Sequence, residues 1–340
     1  MIGDPFDVHE GDAITSLNGV VGDAIVAAND PPWSSLAEQL PAPRQLVSVD
    51  SMEESALQEI AARADATAQV IIGVGGGTAI DTAKYLAWST GLPVVYIPTV
   101  ASVDATFTDA VGVRRDRKVA YVGQVRPREV VIDLPLITSA PARLNRAGIG
   151  DILSCHTGLF DWRLASDRGH GAAWDEPLAH LGRTLLDELT EHLLAIHDAS
   201  SEGVGFCLAA YRRIGAACAF AGHSRFEEGS EHFLAYAIEQ VTGEHYVHGE
   251  LIGLGVVAMS VVQGNEPERA ADIVCRAGTL SHPRALGISR ELFATTLAGL
   301  GDYVAAEGLD YCIASVGPIG EDQIEAAWQA VCALPEGEAS

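Results

Sequence analysis

The stretch at residues 70–87, "VIIGVGGGTAIDTAKYLA", constrains the fold more than any other part of the chain. The apolar, β-branched run at 69–74 predicts a buried strand. Three glycines, Gly75, Gly76 and Gly77, then remove every side chain at the bend, and residues 78–89 carry a helical pattern. Such a turn gathers unpaired backbone N–H groups and the positive end of a helix at one point, where a phosphate is stabilised. Glycine also lets backbone and ligand approach closely. The spacing is G-V-G-G-G-T rather than G-x-G-x-x-G, so a plain strand-to-helix connection satisfies the same pattern. Thr78 adds a hydroxyl at this point, and Asp81 places a carboxylate in the first helical turn.

The surroundings repeat the alternation. Strands are predicted at 23–28, 45–49, 93–97 and 129–132, a hairpin at 111–122 and a helix at 52–64. Ser51 and Glu54 form a capping-box pattern ahead of that helix. Short apolar strands alternating with helices predict a parallel sheet covered on both faces. Beyond Asp151 the strand signals nearly vanish, and helices are predicted at 151–165, 177–197, 202–221, 230–241 and 251–262. The expected architecture is a Rossmann-like α/β domain over residues 1–147, followed by an all-α domain over residues 148–340. Residues 266–340 carry no chemical motif; "RAGTLSHPRALGIS" reads as helix, loop and short helix.

Composition narrows the partners. A formal charge of -25 and an apolar content of 48% describe an acidic globular protein, and exclude a general affinity for nucleic acid or anionic membranes. The N-terminal stretch lacks a basic segment followed by an apolar one, and the apolar run at 251–262 is too short to span a bilayer. Six cysteines without a CxxC pair predict reduced thiols and a cytoplasmic protein.

Two further groups of residues carry potential chemistry. "PTVASVDA" (98–105) follows a predicted strand end, where open α/β sheets bind ligands, and it offers Thr99, Ser102 and Asp104. By itself it also reads as an ordinary polar turn. Asp151, His232 and His248 supply one carboxylate and two imidazoles, a donor set that leaves positions open on a catalytic zinc or iron. Their wide separation carries little information alone, and a single helical histidine is commonly structural.

In order along the chain, "GVGGGTAIDTAK", "PTVASVDA", "PARLNRAGIGDILS", "SRFEEGSEH" and "HGELIGLG" resemble the metal-dependent polyol dehydrogenase superfamily. That superfamily holds the iron-containing alcohol dehydrogenases, glycerol dehydrogenase, sn-glycerol-1-phosphate dehydrogenase and, more distantly, dehydroquinate synthase. The resemblance spans about residues 20 to 265 and is nearest the glycerol-1-phosphate branch. It implies a dehydroquinate synthase-like fold and Asp151, His232 and His248 as metal ligands. It also implies that Gly75, Gly76 and Gly77 hold the pyrophosphate of NAD(P), and that Thr99 and Ser102 lie along the nicotinamide. Asp30 falls where a carboxylate often holds the adenosine ribose, which favours NAD over NADP; before Pro31-Pro32 it is equally a turn former.

The iron branch carries a further histidine four positions after the aspartate, and here that position is Cys155, with His156 one later. This favours a three-ligand, zinc-type site. The synthase branch carries Glu at position 151, which argues against a cyclase or lyase that uses NAD transiently. The glycerol-1-phosphate branch has "ASHDG" where this chain has Ser102-Val103-Asp104-Ala105, so the phosphorylation of the substrate stays open. The implied activity is NAD(P)-dependent oxidation of a small polyol or polyol phosphate to its ketone. Asp104 would orient the substrate, with His223 or His245 as proton relay. Retention of all three ligand positions argues against a non-catalytic descendant, and the superfamily implies a homo-oligomer.

Overall fold

The computed structural model describes residues 5–49 and 51–337. The extreme N-terminus and the last residues, where fraying was expected, lie outside that range. The chain divides into two compact units, Met1–Ala142 with Tyr211–Phe220, and Arg143–Ala210 with Ala221–Ser340. The sequence reading set the boundary at 147/148 and assigned the whole of Ser201–Ala221 to the second domain. Instead the Tyr211–Phe220 stretch of that helix packs with the first unit. Gly215 makes this possible: a Cβ there would lie 1.8 Å from the carbonyl oxygen of Phe107.

The first unit is built on a six-stranded parallel sheet. Its strands are β1 (Val8–Glu10), β2 (Ala24–Ala28), β3 (Gln45–Ser48), β4 (Val70–Gly75), β5 (Val94–Pro98) and β8 (Glu129–Ile132), in the order β1-β8-β5-β4-β2-β3. Every residue of β2, β4 and β5 is buried, which explains why these segments read as continuous apolar runs. Val26, Ile72 and Val95 lie side by side across the three strands and share one core with Trp33 and Leu36. The hairpin forms from β6 (Ala110–Arg115) and β7 (Lys118–Gln124). Asp116 and Arg117 turn it, both with positive φ, as a two-residue hairpin turn requires.

The capping box at Ser51 does not form. The helix begins at Glu54, and the Ser51 hydroxyl accepts from the Glu53 N–H at 3.1 Å. Glu54 is engaged by Arg115 at 2.7 Å, a partner 61 residues away in sequence.

Among its described residues the second unit is helical. The helix expected over 151–165 is broken at Ser154 into Ile149–Leu153 and Cys155–Asp167. The next helices are Glu176–His197, Ser230–Thr242 and His248–Gln263, the last beginning three residues earlier than expected. The region without motifs forms helices Pro267–Ala277, Arg290–Ala298, Leu300–Glu307 and Glu321–Cys332. Ser201–Ala221 passes by length and apolarity as a membrane-crossing helix, longer than the 251–262 run, but half of it is buried inside the protein.

Candidate functional site

In the second unit, three helices deliver three donors to one point. Asp151 lies mid-helix in Ile149–Leu153, His232 in the first turn of Ser230–Thr242, and His248 opens His248–Gln263. The His248 Nε2 is 3.2 Å and the His232 Nε2 3.8 Å from Asp151 Oδ1. The two imidazole rings stand 5.3 Å apart, and one ligand atom from each residue falls within 4.8 Å of the others. Asp151 and His232 are buried, whereas the His248 side chain keeps 30% of its surface exposed.

Glycine is what allows the convergence. A Cβ on Gly249 would sit 1.8 Å from the Ala147 carbonyl oxygen, and one on Gly150 would sit 2.5 Å from the Gly249 Cα. The backbone bearing His248 therefore lies directly against the backbone bearing Asp151.

A buried polar network orients the histidine. The His232 Nδ1–H donates to Glu231 Oε1 at 2.9 Å, which turns Nε2 toward Asp151 and His248. The same oxygen accepts from the Gly229 N–H at 2.7 Å. Asp161, fully buried, accepts from the Ser230 N–H at 2.8 Å, the Ile313 N–H at 2.7 Å and the Gln263 amide at 3.1 Å. These bonds tie the start of the His232 helix to Cys155–Asp167. Burial opposes charge on His232, but the bond to Glu231 overrides it and raises its pKa to about 9. Desolvation, reinforced by the charge on Glu231, raises Asp161 to about 6.

One carboxylate and two imidazoles, backed by a carboxylate on the remote nitrogen of His232, match the donor chemistry of a divalent transition metal. In a tetrahedral site of ~2.0–2.2 Å bonds the ligand atoms stand roughly 3.5 Å apart, so small rotations of these side chains suffice. Cys155 does not join the set. Burial, with the charges of Glu227 and Glu231, holds its thiol well above the usual range, and it stays protonated. His156 points elsewhere, donating from Nε2 to the Asn265 carbonyl at 2.7 Å.

Of the two relay candidates, His245 is exposed. His223 packs on Trp162 at 5.4 Å and accepts from the Arg225 N–H at Nδ1, and burial followed by the nearby Arg225 lowers its pKa.

The glycine turn lies in the first unit. β4 ends at Gly75 with φ +150°, and the helix Gly77–Thr90 starts without a side-chain cap, leaving its first N–H groups for a ligand. Asn29, at the end of β2, spans the turn. Its Oδ1 accepts from the Gly76 N–H at 3.3 Å and its amide donates to Thr78 Oγ1 at 3.4 Å. The sequence reading passed over Asn29, although its position at a strand end beside Asp30 was a usable signal.

The segment carrying Thr99, Ser102 and Asp104 packs on the same turn. The Thr99 N–H donates to the Gly75 carbonyl at 3.0 Å, and Val103 lies within 2.8 Å of where a Cβ on Gly77 would be. Tyr211 fixes that segment by donating to the Ala101 carbonyl at 3.3 Å. Asp104 opens a short 3₁₀ turn, Asp104–Phe107. Asp81 is held by the buried Lys84 ammonium at 3.0 Å, so its carboxylate anchors the helix. Asp30 accepts from the N–H and hydroxyl of Ser34, at 3.1 and 2.7 Å, which is the turn-forming role.

Together these features define a class: a parallel α/β unit with a phosphate-accommodating glycine turn, and a helical unit with a three-residue divalent-metal donor set. Residues 34–141 match the iron-containing alcohol dehydrogenase family. A glycerol-1-phosphate dehydrogenase [NAD(P)+] from Pyrobaculum arsenaticum is 33% identical over 229 residues, covering 66% of this chain and 67% of the relative. The enzyme of the same name from Methanosphaerula palustris is 32% identical over 67% of this chain. The match spans 63% of that relative's length. A probable glycerol dehydrogenase from Sinorhizobium meliloti shares the fold, with a TM-score of 0.75 at 20% identity over 98% of both chains. The chain belongs to the iron-containing alcohol dehydrogenase family.

Proposed function

We propose that the chain is a metal-dependent NAD(P) oxidoreductase that interconverts a small polyol, or its phosphate, and the corresponding ketone. The observation that carries this reading is the convergence of Asp151, His232 and His248 within 4.8 Å. When bound, the metal supplies a Lewis acid for the substrate oxygen and the dinucleotide a hydride acceptor.

The chain's own residues do the rest. Asp151, His232 and His248 hold the metal, and the partial exposure of His248 gives the substrate oxygen a way in. Glu231 keeps His232 in the tautomer that presents Nε2. Gly77 and Thr78 offer backbone N–H groups to the pyrophosphate, Asn29 shapes the turn by accepting from the Gly76 N–H, and Asp81 braces the helix behind it. Thr99 and Ser102 line the nicotinamide side of that turn, and Asp104 accepts hydrogen bonds from a substrate hydroxyl.

Zinc is preferred to iron, because a protonated thiol stands at position 155. NAD is preferred to NADP, because the exposed Asp30 carboxylate repels a 2′-phosphate. Six free cysteines support a cytoplasmic setting. A homo-oligomer is part of the proposal, supported by the sheet edge at β3, where Leu46 is 50% exposed.

The test is absorbance at the nicotinamide band with metal-loaded protein, NADH or NADPH, and a panel of small ketones. Chelator-sensitive oxidation of the cofactor is the expected result. Cofactor binding without any net redox change would refute the reading.

A further inference from the structure

His232 lies in the first turn of Ser230–Thr242, and helix ends fray. A metal ligand placed there is held only as firmly as the helix start itself. Three pieces of chain, far apart in sequence, meet behind that start. Asp161 belongs to Cys155–Asp167 and is fully buried. Its Oδ2 accepts from the Ser230 N–H, two residues before His232, at 2.8 Å, and from the Gln263 amide at 3.1 Å. Its Oδ1 accepts from the Ile313 N–H at 2.7 Å. One carboxylate therefore joins partners 69 and 152 residues away.

Arg225 closes the third side. It precedes Ser230–Thr242 by a few residues and is buried. Its Nη2 donates to the Tyr311 carbonyl at 2.7 Å, across 86 residues of sequence, and its Nη1 faces Asp310 Oδ2 at 3.7 Å. The Tyr311 hydroxyl accepts from Arg168 Nη1 at 2.7 Å, and the Tyr311 ring stacks on His170 at 4.2 Å. Residues 310–313 are thus gripped both by the turn that carries Arg225 and by the end of the helix that carries Asp161.

The bonds form a closed triangle: Asp161 to Ser230, Asp161 to Ile313, and Arg225 to Tyr311. Each side joins two different segments, so none of the three can shift alone. A displaced Ser230 leaves its own N–H and one carboxylate oxygen short of a partner in a buried place, which is costly. A carboxylate at this point also suits the positive end of the helix. We propose that Asp161 and Arg225 are positioning residues for His232, and that through them the C-terminal segment at 310–313, which carries no chemical motif, helps to set the affinity of the metal site. This rests on the reading of Asp151, His232 and His248 as metal ligands.

The experiment uses the metal-free, full-length protein and two readouts: calorimetric titration with zinc, and hydrogen–deuterium exchange at the amides of residues 230–234. The variants are Arg225→Gln, Arg225→Lys and Asp161→Asn. Ile273→Val, which trims a buried side chain in Pro267–Ala277, is the control for general loss of stability. We expect Arg225→Gln and Asp161→Asn to weaken zinc binding about tenfold and to speed exchange at 230–234. Arg225→Lys keeps a donor for the Tyr311 carbonyl and should lose less. The control should match the wild type in both readouts. If Arg225→Gln does not fold, the other two variants decide. Wild-type zinc affinity in the folded variants, with or without faster exchange, overturns the proposal, as does an equal loss in the control. A wild type that binds no zinc overturns the metal reading and this proposal with it, whereas unchanged variants of a zinc-binding wild type overturn this proposal alone.

Discussion

Alanine at position 249 separates the helix-contact account of the metal site from one in which the ligands act alone. The Cβ of Gly249→Ala would lie 1.8 Å from the Ala147 carbonyl oxygen, where real contacts stay beyond 3.0 Å. The two backbones must therefore part by about 1.2 Å. Both lie in well-packed helices, so the strain is expected to cost ~1–3 kcal/mol or more of stability. Residue 249 follows His248 directly, so the displacement moves that ligand away from Asp151, 3.2 Å distant. Metal geometry tolerates about ±0.2 Å, so affinity should fall by roughly the 10–100-fold typical of lost ligand orientation.

The assay is paired: unfolding in urea, and zinc affinity by competition with a colorimetric chelator. Gly205→Ala is the control, because Gly205 lies within a helix and its Cβ meets nothing within 4 Å. That substitution should stabilise by ~0.5–1 kcal/mol. A Gly249→Ala protein with unchanged stability and zinc affinity would refute the reasoning.

Other substitutions report on the remaining parts. Glu231→Gln weakens the hold on His232 Nδ1, and zinc affinity should fall roughly 10–100-fold with little change in circular dichroism. Asn29→Ala removes the acceptor of the Gly76 N–H, at 3.3 Å. The KM for the dinucleotide should rise about 2–10-fold with kcat nearly unchanged, as initial-rate kinetics will show. Asp161 gives a pH signature. Its folded pKa of about 6 lies above the ordinary carboxylate value, so it favours the folded state at low pH and loses that contribution as pH rises through 6. The loss amounts to ~3 kcal/mol between about pH 4 and pH 7. Urea midpoints across that range should show this decline in the wild type and not in Asp161→Asn.

How much of this the sequence made legible depended on how local each signal was. The strand–glycine–helix unit was legible because its three parts adjoin and all of β4 is buried, so no partner segment altered the pattern. Asp151, His232 and His248 were recognisable as residue types in ordered motifs. Their convergence was not legible, because it depends on glycine contacts between segments about a hundred residues apart, as Gly249 meets Ala147. Glu231 was overlooked as one acidic residue among many, although its place directly before His232 was a usable hint. One local rule lost to a distant partner: Ser51 and Glu54 matched a cap, but Arg115 claims Glu54. Asp30 matched both a turn former and a ribose ligand, and its bonds to Ser34, four residues on, are the local turn pattern. The packing of Tyr211–Phe220 with the first unit has no local signature, since a helix does not reveal which element will cover it.

The central claim is that Asp151, His232 and His248 form one metal site. Calorimetric titration of zinc into the metal-free wild-type protein, beside Asp151→Ala, His232→Ala and His248→Ala, tests it most directly. The account predicts one tightly bound ion per wild-type chain and loss of that binding in each variant, with the helical circular dichroism unchanged. Undiminished zinc binding in any one of the three folded variants would contradict it.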